Sequence, residues 1–281
     1  MRHERLFLRL DGDPLYAPET TVPGGTMREL GVPAALREHV AYLIAYDERL
    51  PVGAVVSERV LPDGALRLIF DFSSGTARVA GPSTRPVLLS MRGQLSGLSV
   101  TLRPGAALAL LGVPAHELAE QVIAWDELVG AGHRGLCAQL HASGGDVDRA
   151  RMLWAALHRM KTDAGGEERR KATRAAALLR TEGEARSVGA VAAAVGIGER
   201  RLQQIFRSQL GLSPGAWRRL ARVQTCLRLL RQPGPARWPE LAQEAGFYDQ
   251  SHLVNEFRAL CGLTPGQFLQ RSVSGSSKTG A

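Results

Sequence analysis

Two segments of this 281-residue chain, roughly fifty residues apart, carry the same pattern, so the last part of the chain must build one small unit twice. The first copy runs from Val191 through Gly196, Leu202 and Phe206 to Gly211-Leu212-Ser213-Pro214-Gly215. The second runs from Leu241 through Gly246, Leu253 and Phe257 to Gly262-Leu263-Thr264-Pro265-Gly266. Each copy predicts a helix that stops at a glycine, a short turn, and a second helix with apolar residues at helical spacing. These are Leu202, Ile205, Phe206 and Leu210 in the first unit, and Leu253, Phe257 and Leu260 in the second. One extra residue in the second turn restores the register. Two helix-turn-helix units follow. Between them Trp217, Leu220, Val223, Leu227 and Leu230 recur every three or four residues, which predicts one long connecting helix ended by Gln232-Pro-Gly-Pro.

What these units can bind follows from the face they leave free. If the apolar residues point inward, Arg200, Gln203, Gln204 and Arg207 lie together on the opposite side of the first reading helix, with Arg201 beside them. Arginine and glutamine are the side chains whose paired donors and acceptors match guanine and adenine edges in the major groove of DNA. The equivalent face of the second unit is Ser251, Val254, Asn255 and Arg258, with Gln250 and His252 at its margin. There Asn255 and Val254 are the expected base contacts, and Arg258 or His252 the expected phosphate contact. One such helix could be an ordinary solvated face; two equivalent ones in a basic domain favour nucleic-acid binding. If they stand about 34 Å apart, one chain addresses two successive major-groove segments.

Charge places the same part of the chain against a polyanion. Residues 1–166 hold 17 Lys and Arg against 18 Asp and Glu, whereas residues 167–281 hold 18 against 9. A genome biased toward arginine explains why only three of the 35 basic residues are lysine, but not this asymmetry.

The first part predicts a different architecture. Val52–Leu61 and Ala65–Asp71 read as a hairpin turning at Pro62-Asp63-Gly64, followed by β-like pieces at Ala77–Ala80, Val87–Met91 and Leu98–Leu102. Pro33 to Tyr46 reads as one amphipathic helix, with a strand at its end as the alternative. Short helices are expected at Pro114–Gln121, Gly135–His141 and Val147–Met160, the last two forming a helical hairpin. The predicted class is α+β: a small β-rich domain with a helical hairpin over 1–160, a linker over 161–168, an all-α domain of two helix-turn-helix units joined by a long helix over 169–271, and a loose tail over 272–281. Part of the stripe Val147, Ala150, Leu153, Trp154, Leu157, Met160 is a candidate dimer seam, although packing on its own domain is the commoner use of such a stripe.

The spacing of the repeat, with Gly-Leu-Ser/Thr-Pro-Gly closing each unit, resembles the DNA-binding domain of the AraC/XylS family of bacterial transcription regulators across about residues 169–270. The resemblance implies a seven-helix domain whose third and sixth helices, here near Glu199–Ser208 and Gln250–Leu260, enter the major groove. It places base contacts on Arg200, Gln203, Gln204, Ser251 and Asn255, although Asn255 stands where many members have Arg or Lys and Glu256 adds an acid, two departures that weigh against base readout by the second helix. Val60-Leu-Pro-Asp-Gly64 with Leu68-Ile-Phe-Asp71, and Leu102-Arg-Pro-Gly-Ala106 with Leu110-Leu-Gly-Val-Pro-Ala115, resemble the sensory domain of one branch of that family. That resemblance implies a cupin-like domain followed by helices that pair subunits. The expected partners are operator DNA, a second copy, RNA polymerase and a small-molecule effector that the resemblance does not name; the cysteine usage points to a reducing cytoplasm. Leu68, Phe70, Phe72 and Leu89 are the candidate effector-pocket liners, and they equally suit a core.

The other classes find little support. No His-x-His or His-Glu-x-x-His pair occurs, and no His lies between His39 and His116, so a metal cupin lacks its ligands. No catalytic residue, cofactor or metal is expected. A fused cysteine-based DNA-repair function is a further alternative, but Cys226 and Cys261 sit at core-like helical positions and Cys137 in a helical arm, and three widely separated cysteines fit neither a disulfide framework nor a CxxC metal clip. No apolar run approaches the roughly 18–20 residues that span a bilayer, and Leu6-Phe-Leu-Arg-Leu is too short for a signal-peptide core. A constitutive DNA binder whose first domain only dimerises remains the alternative to a ligand-controlled regulator.

Overall fold

The computed structural model describes residues 4–10, 13, 22–23, 25–180, 187–231 and 236–276, the last five of these as backbone. The first part contains two sheets. Strands β1 (Glu4–Phe7), β4 (Val55–Val60) and β7 (Val87–Arg92) form one, in the order β1-β4-β7. Strands β2 (Met27–Leu30), β3 (Val40–Arg49), β5 (Arg67–Asp71), β6 (Thr76–Ala80), β8 (Gln94–Leu102) and β9 (Val122–Ala124) form the other, in the order β2-β3-β8-β5-β6-β9. The main core lies on the six-stranded sheet, where alternating residues Leu68, Phe70, Val79, Leu98 and Val100 pack against helices α1 (Ala106–Leu111), α4 (Leu136–Ala142) and α5 (Asp146–Met160). Short helices α2 (Ala115–Leu118) and α3 (Trp125–Leu128) complete this part, and the indole of Trp125 donates to the His133 carbonyl at 2.9 Å.

Two expectations fail here. Residues 33–46 do not form a helix: only Ala34–Leu36 make a 3-10 turn, and Val40 begins a ten-residue strand. Leu43 and Ile44 fit helical spacing, but β3 is paired on both sides, by β2 and by β8, and that pairing overrides a weak local pattern. Nor do β4 and β5 form a hairpin, because they belong to different sheets. The Pro62-Asp63-Gly64 turn is real, with the Ala65 N–H donating to Asp63 Oδ1 at 2.9 Å. It carries the chain from one sheet to the other instead of folding it back. The strands expected at residues 77–80, 87–91 and 98–102 and the three short helices of this part do form.

The C-terminal part is helical: α6 (Gly166–Arg180), α7 (Val188–Ala194), α8 (Glu199–Leu210), α9 (Pro214–Leu230), α10 (Trp238–Glu244), α11 (Gln250–Cys261) and α12 (Pro265–Ser276). Helix α6 therefore starts inside the expected linker, and α12 runs into the expected tail; Gln232 to Pro235 and residues 277–281 lie outside the described residues. The Gly-Leu-Ser/Thr-Pro-Gly motif has a physical reading. Gly211 and Gly262 close α8 and α11 at φ +74° and +70°, where a side chain would be strained. Leu212 and Leu263 are buried. Ser213 accepts from the Ala216 N–H at 3.1 Å, whereas Thr264 and Gln267 cap reciprocally, and a proline opens each following helix.

Beside the core that each part has of its own, the two parts share a third. Leu6, Leu8 and Leu10 of the N-terminal segment, with Leu61, belong to the same cluster as Val223, Leu227, Phe257, Leu260 and Phe268 of the second unit. Ion pairs surround this junction: Glu4 with Arg59 at 2.7 Å and with Arg271, and Asp13 with Arg231 at 2.7 Å. Burial raises the Asp13 carboxyl, but hydrogen bonds from Arg231 and the Leu10 N–H outweigh it and hold the group below its ordinary value.

One buried acid works against the fold. Glu58 on β4, paired in register with Arg5, is only 7% exposed. Burial pushes its carboxyl up to about 7; Arg5 opposes this and Glu48 adds to it. A carboxyl raised above its unfolded value binds its proton more tightly when folded, so stability declines as pH climbs from the ordinary carboxylate value toward 7. Glu58→Gln is expected to stabilise the protein by about 1–3 kcal/mol at pH 8 and by almost nothing at pH 4. Urea denaturation at both pH values measures this, and an equal effect at both would contradict the assignment.

Candidate nucleic-acid interface

The two units present matching helices. In the first, Leu202, Ile205 and Phe206 of α8 are buried with Val191, Ala175 and Trp217. In the second, Leu253 and Phe257 of α11 are buried, with the Phe257 and Phe268 rings edge to face at 5.6 Å. The structurally equivalent Phe206 and Phe257 are each 0% exposed. These anchors fix which side of each helix faces away from its unit.

That side carries the expected residues. Arg200, Arg201, Gln203, Gln204 and Arg207 are all exposed on α8. Arg201 is tied to Glu168 of α6 and donates to Gln204 Oε1 at 3.3 Å, so it holds the edge of the face in place. On α11, Gln250, Ser251, Asn255 and Arg258 are exposed. Val254 is half-buried and packs against the second core, which leaves only part of its side chain at the surface. His252 is also half-buried. Its Nδ1 accepts from the Tyr248 N–H at 3.3 Å, and its ring meets Phe247 edge-on, so the ring is fixed with Nε2 as its remaining polar atom. Asp249 caps α11 by accepting from the His252 N–H at 2.7 Å.

Two further residues belong to this surface: Tyr248, which escaped the sequence reading, and Glu256, whose acid the sequence already set against base readout by this helix. Tyr248, 92% exposed in the turn before α11, is a large aromatic left at the surface. Glu256, an acid inside the reading helix, is bound by Arg219 of α9 at 2.6 Å, which offsets its charge. The signal for Tyr248 was its position in a turn beside a reading helix. No sequence signal pairs Glu256 with a residue 37 positions earlier.

The candidate effector-pocket residues are not brought together. Leu68, Phe70 and Phe72 lie in the main core, with Phe70 edge to face on Trp125 at 5.4 Å. Leu89 is exposed on β7 in the other sheet. The reason is that the chain crosses to the six-stranded sheet at Pro62-Gly64 and returns between β6 and β7 to pair β7 with β4, which leaves β5 and β7 in separate sheets. A cleft of about 100 Å³ lies elsewhere, between the two parts, lined by Arg9, Tyr42 and Thr101 from the first and Arg180, Gln224 and Arg228 from the second. Arg9 Nη1 and Thr101 Oγ1 are buried there without a hydrogen-bond partner.

The remaining chemistry is sparse. Burial pushes the Cys137 thiol up to about 11 and the Cys226 thiol up to about 12, and it raises Cys261 as well. Protonated, buried thiols are poor nucleophiles. Among the described residues, no three His, Cys, Asp or Glu side chains are placed to hold a metal, and no helix is long and apolar enough to cross a membrane.

Two exposed, equivalent polar faces on helices anchored by matching cores define a double helix-turn-helix DNA-binding protein. Residues 191–271 match a family described as a helix-turn-helix domain, and residues 30–124 match a family described as a domain of unknown function, DUF6597. With this repeat and this motif spacing, the C-terminal part of the chain carries an AraC-type helix-turn-helix DNA-binding domain. No curated protein matches its sequence. Among solved structures it is similar to an AraC-type transcriptional regulator from Chromobacterium violaceum, at 26% identity over 38% of this chain and 96% of that one, with a TM-score of 0.35. It is also similar to a DNA-binding transcriptional dual regulator from Escherichia coli K-12, at 20% identity over 37% and 93%, TM-score 0.34. ToxT from Vibrio cholerae aligns at 9% identity over 82% and 98%, TM-score 0.41.

Proposed function

We propose that this regulator binds a specific operator through α8 and α11 and that a ligand or partner bound by the N-terminal part controls it. The observation that carries the first half is the exposure of the Arg200, Gln203, Gln204, Arg207 face together with its counterpart at Ser251, Asn255 and Arg258. Base reading falls to Arg200, Gln203, Gln204 and Asn255, and phosphate contact to Arg207, Arg258 and His252.

Control is supported by how the first part touches the reading elements. Helix α2 packs on α8, and Gly211 at the end of α8 sits against Pro82 and the Ala115 carbonyl, with no room for a side chain. A small molecule in the cleft between Arg9 and Arg228 would touch both parts at once. It would change DNA affinity only by binding one relative arrangement more tightly than another. In this reading the protein acts in the cytoplasm as a homodimer whose bound position relative to RNA polymerase decides activation or repression.

Selection of bound duplexes from a random pool tests the reading. The expected product is a bipartite motif whose halves are about one helical turn apart, the spacing of two successive major-groove faces. Enrichment of no motif would contradict specific recognition. A single short half-site would contradict a reading role for α11.

A further inference from the structure

We infer that Arg218, Arg219 and Arg222 on α9 clamp the phosphodiester backbone of duplex DNA where it passes between the two reading helices. The inference rests on the DNA-binding reading above and adds a contact surface that neither reading helix supplies.

Helix α9 has two opposed sides. One docks on the N-terminal part: Leu220 and Trp217 lie against Gly64, Gln224 Nε2 donates to the Asp63 carbonyl at 3.4 Å, and Arg231 binds Asp13. At about 100° per residue, Arg218 and Arg222 lie roughly half a turn around the helix from Leu220 and Gln224. They therefore point away from the N-terminal part, and Arg219 stands beside them.

This side is held against the second unit. The Arg222 guanidinium lies 5.3 Å over the Phe247 ring, in the turn that leads to α11. Arg219 binds Glu256, the neighbour of the base-reading Asn255. The stripe is thus continuous with the α11 interface. A strand leaving the groove filled by α8 for the one filled by α11 must pass α9, the element that joins the two units.

The stripe is also short of negative charge. Three arginines fall within little more than one helical turn, and Glu256 is the acid that faces them. The Nε–H groups of Arg218 and Arg222 are buried without a partner. Burial lowers Arg222 from its ordinary value, Arg218 and Arg219 lower it further, and only Glu256 opposes them. Like charges held together in this way repel one another in the free protein. Duplex DNA supplies one negative charge per roughly 1.7 Å of axis, so its backbone is the complementary anion. Such contacts set register and affinity and read no bases.

Binding of the full-length chain to a random-sequence duplex, measured as a function of salt, tests the inference. Each neutralised phosphate contributes about 0.9 to the slope of log affinity against log salt. Arg218→Gln and Arg222→Gln are each expected to lower that slope by about 0.9, to weaken random and selected duplexes by the same factor, and to leave the selected motif unchanged. Arg222→Lys keeps the charge and should keep the slope. The thermal midpoints of the Gln variants should stay level or rise, because repulsion is relieved. Three results would overturn the clamp: wild-type slope and affinity in both Gln variants, an altered motif, or weaker binding at unchanged slope with a lowered thermal midpoint, which marks a purely structural role. Wild-type protein that binds no duplex at all would instead defeat the DNA-binding reading, and the clamp with it.

Discussion

Replacing Arg200 with alanine is expected to weaken operator binding by about 1–3 kcal/mol, roughly 5- to 150-fold, and to relax base preference at one position of the motif. Arg200 is the second residue of α8, exposed, with Leu202 and Phe206 fixing the opposite side of the helix in the core. An arginine at the start of a reading helix can place its forked donors on guanine O6 and N7. Because the side chain supports no core contact, folding stability should change by less than about 0.5 kcal/mol. Competition binding against duplexes substituted one base at a time measures the effect. A uniform loss across all sequences would make Arg200 a phosphate contact and leave Gln203 and Gln204 as the readers.

The second large effect lies almost two hundred residues earlier in the chain. Leu8→Ala is expected to cost about 2–5 kcal/mol, the ordinary range for emptying a fully packed leucine site. Leu8 is buried beside β1, in the cluster that holds Phe257, Phe268 and Leu227. The cavity therefore opens under the second helix-turn-helix unit as well as under the first sheet. Hydrogen exchange should show lost protection in α10 and α11 together with β1. Loss confined to the N-terminal sheet would show that the two parts fold independently, and the shared core would then carry little energy.

Much of the DNA-binding part was legible because its information is local and stated twice. Glycines at the ends of helices, Ser213 and Thr264 as caps, Pro214 and Pro265 at first helical positions, and apolar residues three and four apart each act within a turn or two of chain. Agreement between the copies filters accidental patterns. The exposed reading face follows from the buried one by helical geometry alone.

The N-terminal part was less legible because strands are specified by partners distant in sequence. Residues 33–46 have helical spacing, yet β2 and β8 capture them as a strand. Pro62-Asp63-Gly64 has good turn chemistry, and turn chemistry cannot say whether the chain returns to the same sheet or crosses to another. For the same reason Leu68 and Leu89, both apolar residues in β-like segments, ended in a core and at an exposed surface.

The sequence by itself determined two helix-turn-helix units, the polar faces they expose and the basic charge of the part that carries them, since helix period, capping and net charge depend on neighbours along the chain. Only the tertiary structure decided that Leu6, Leu8 and Leu10 complete the core of the second unit, that α2 rests on α8, and that Arg219 covers Glu256. Those pairings join residues whose separation in sequence leaves no periodic trace, and packing and charge complementarity select them only once the chain has closed on itself.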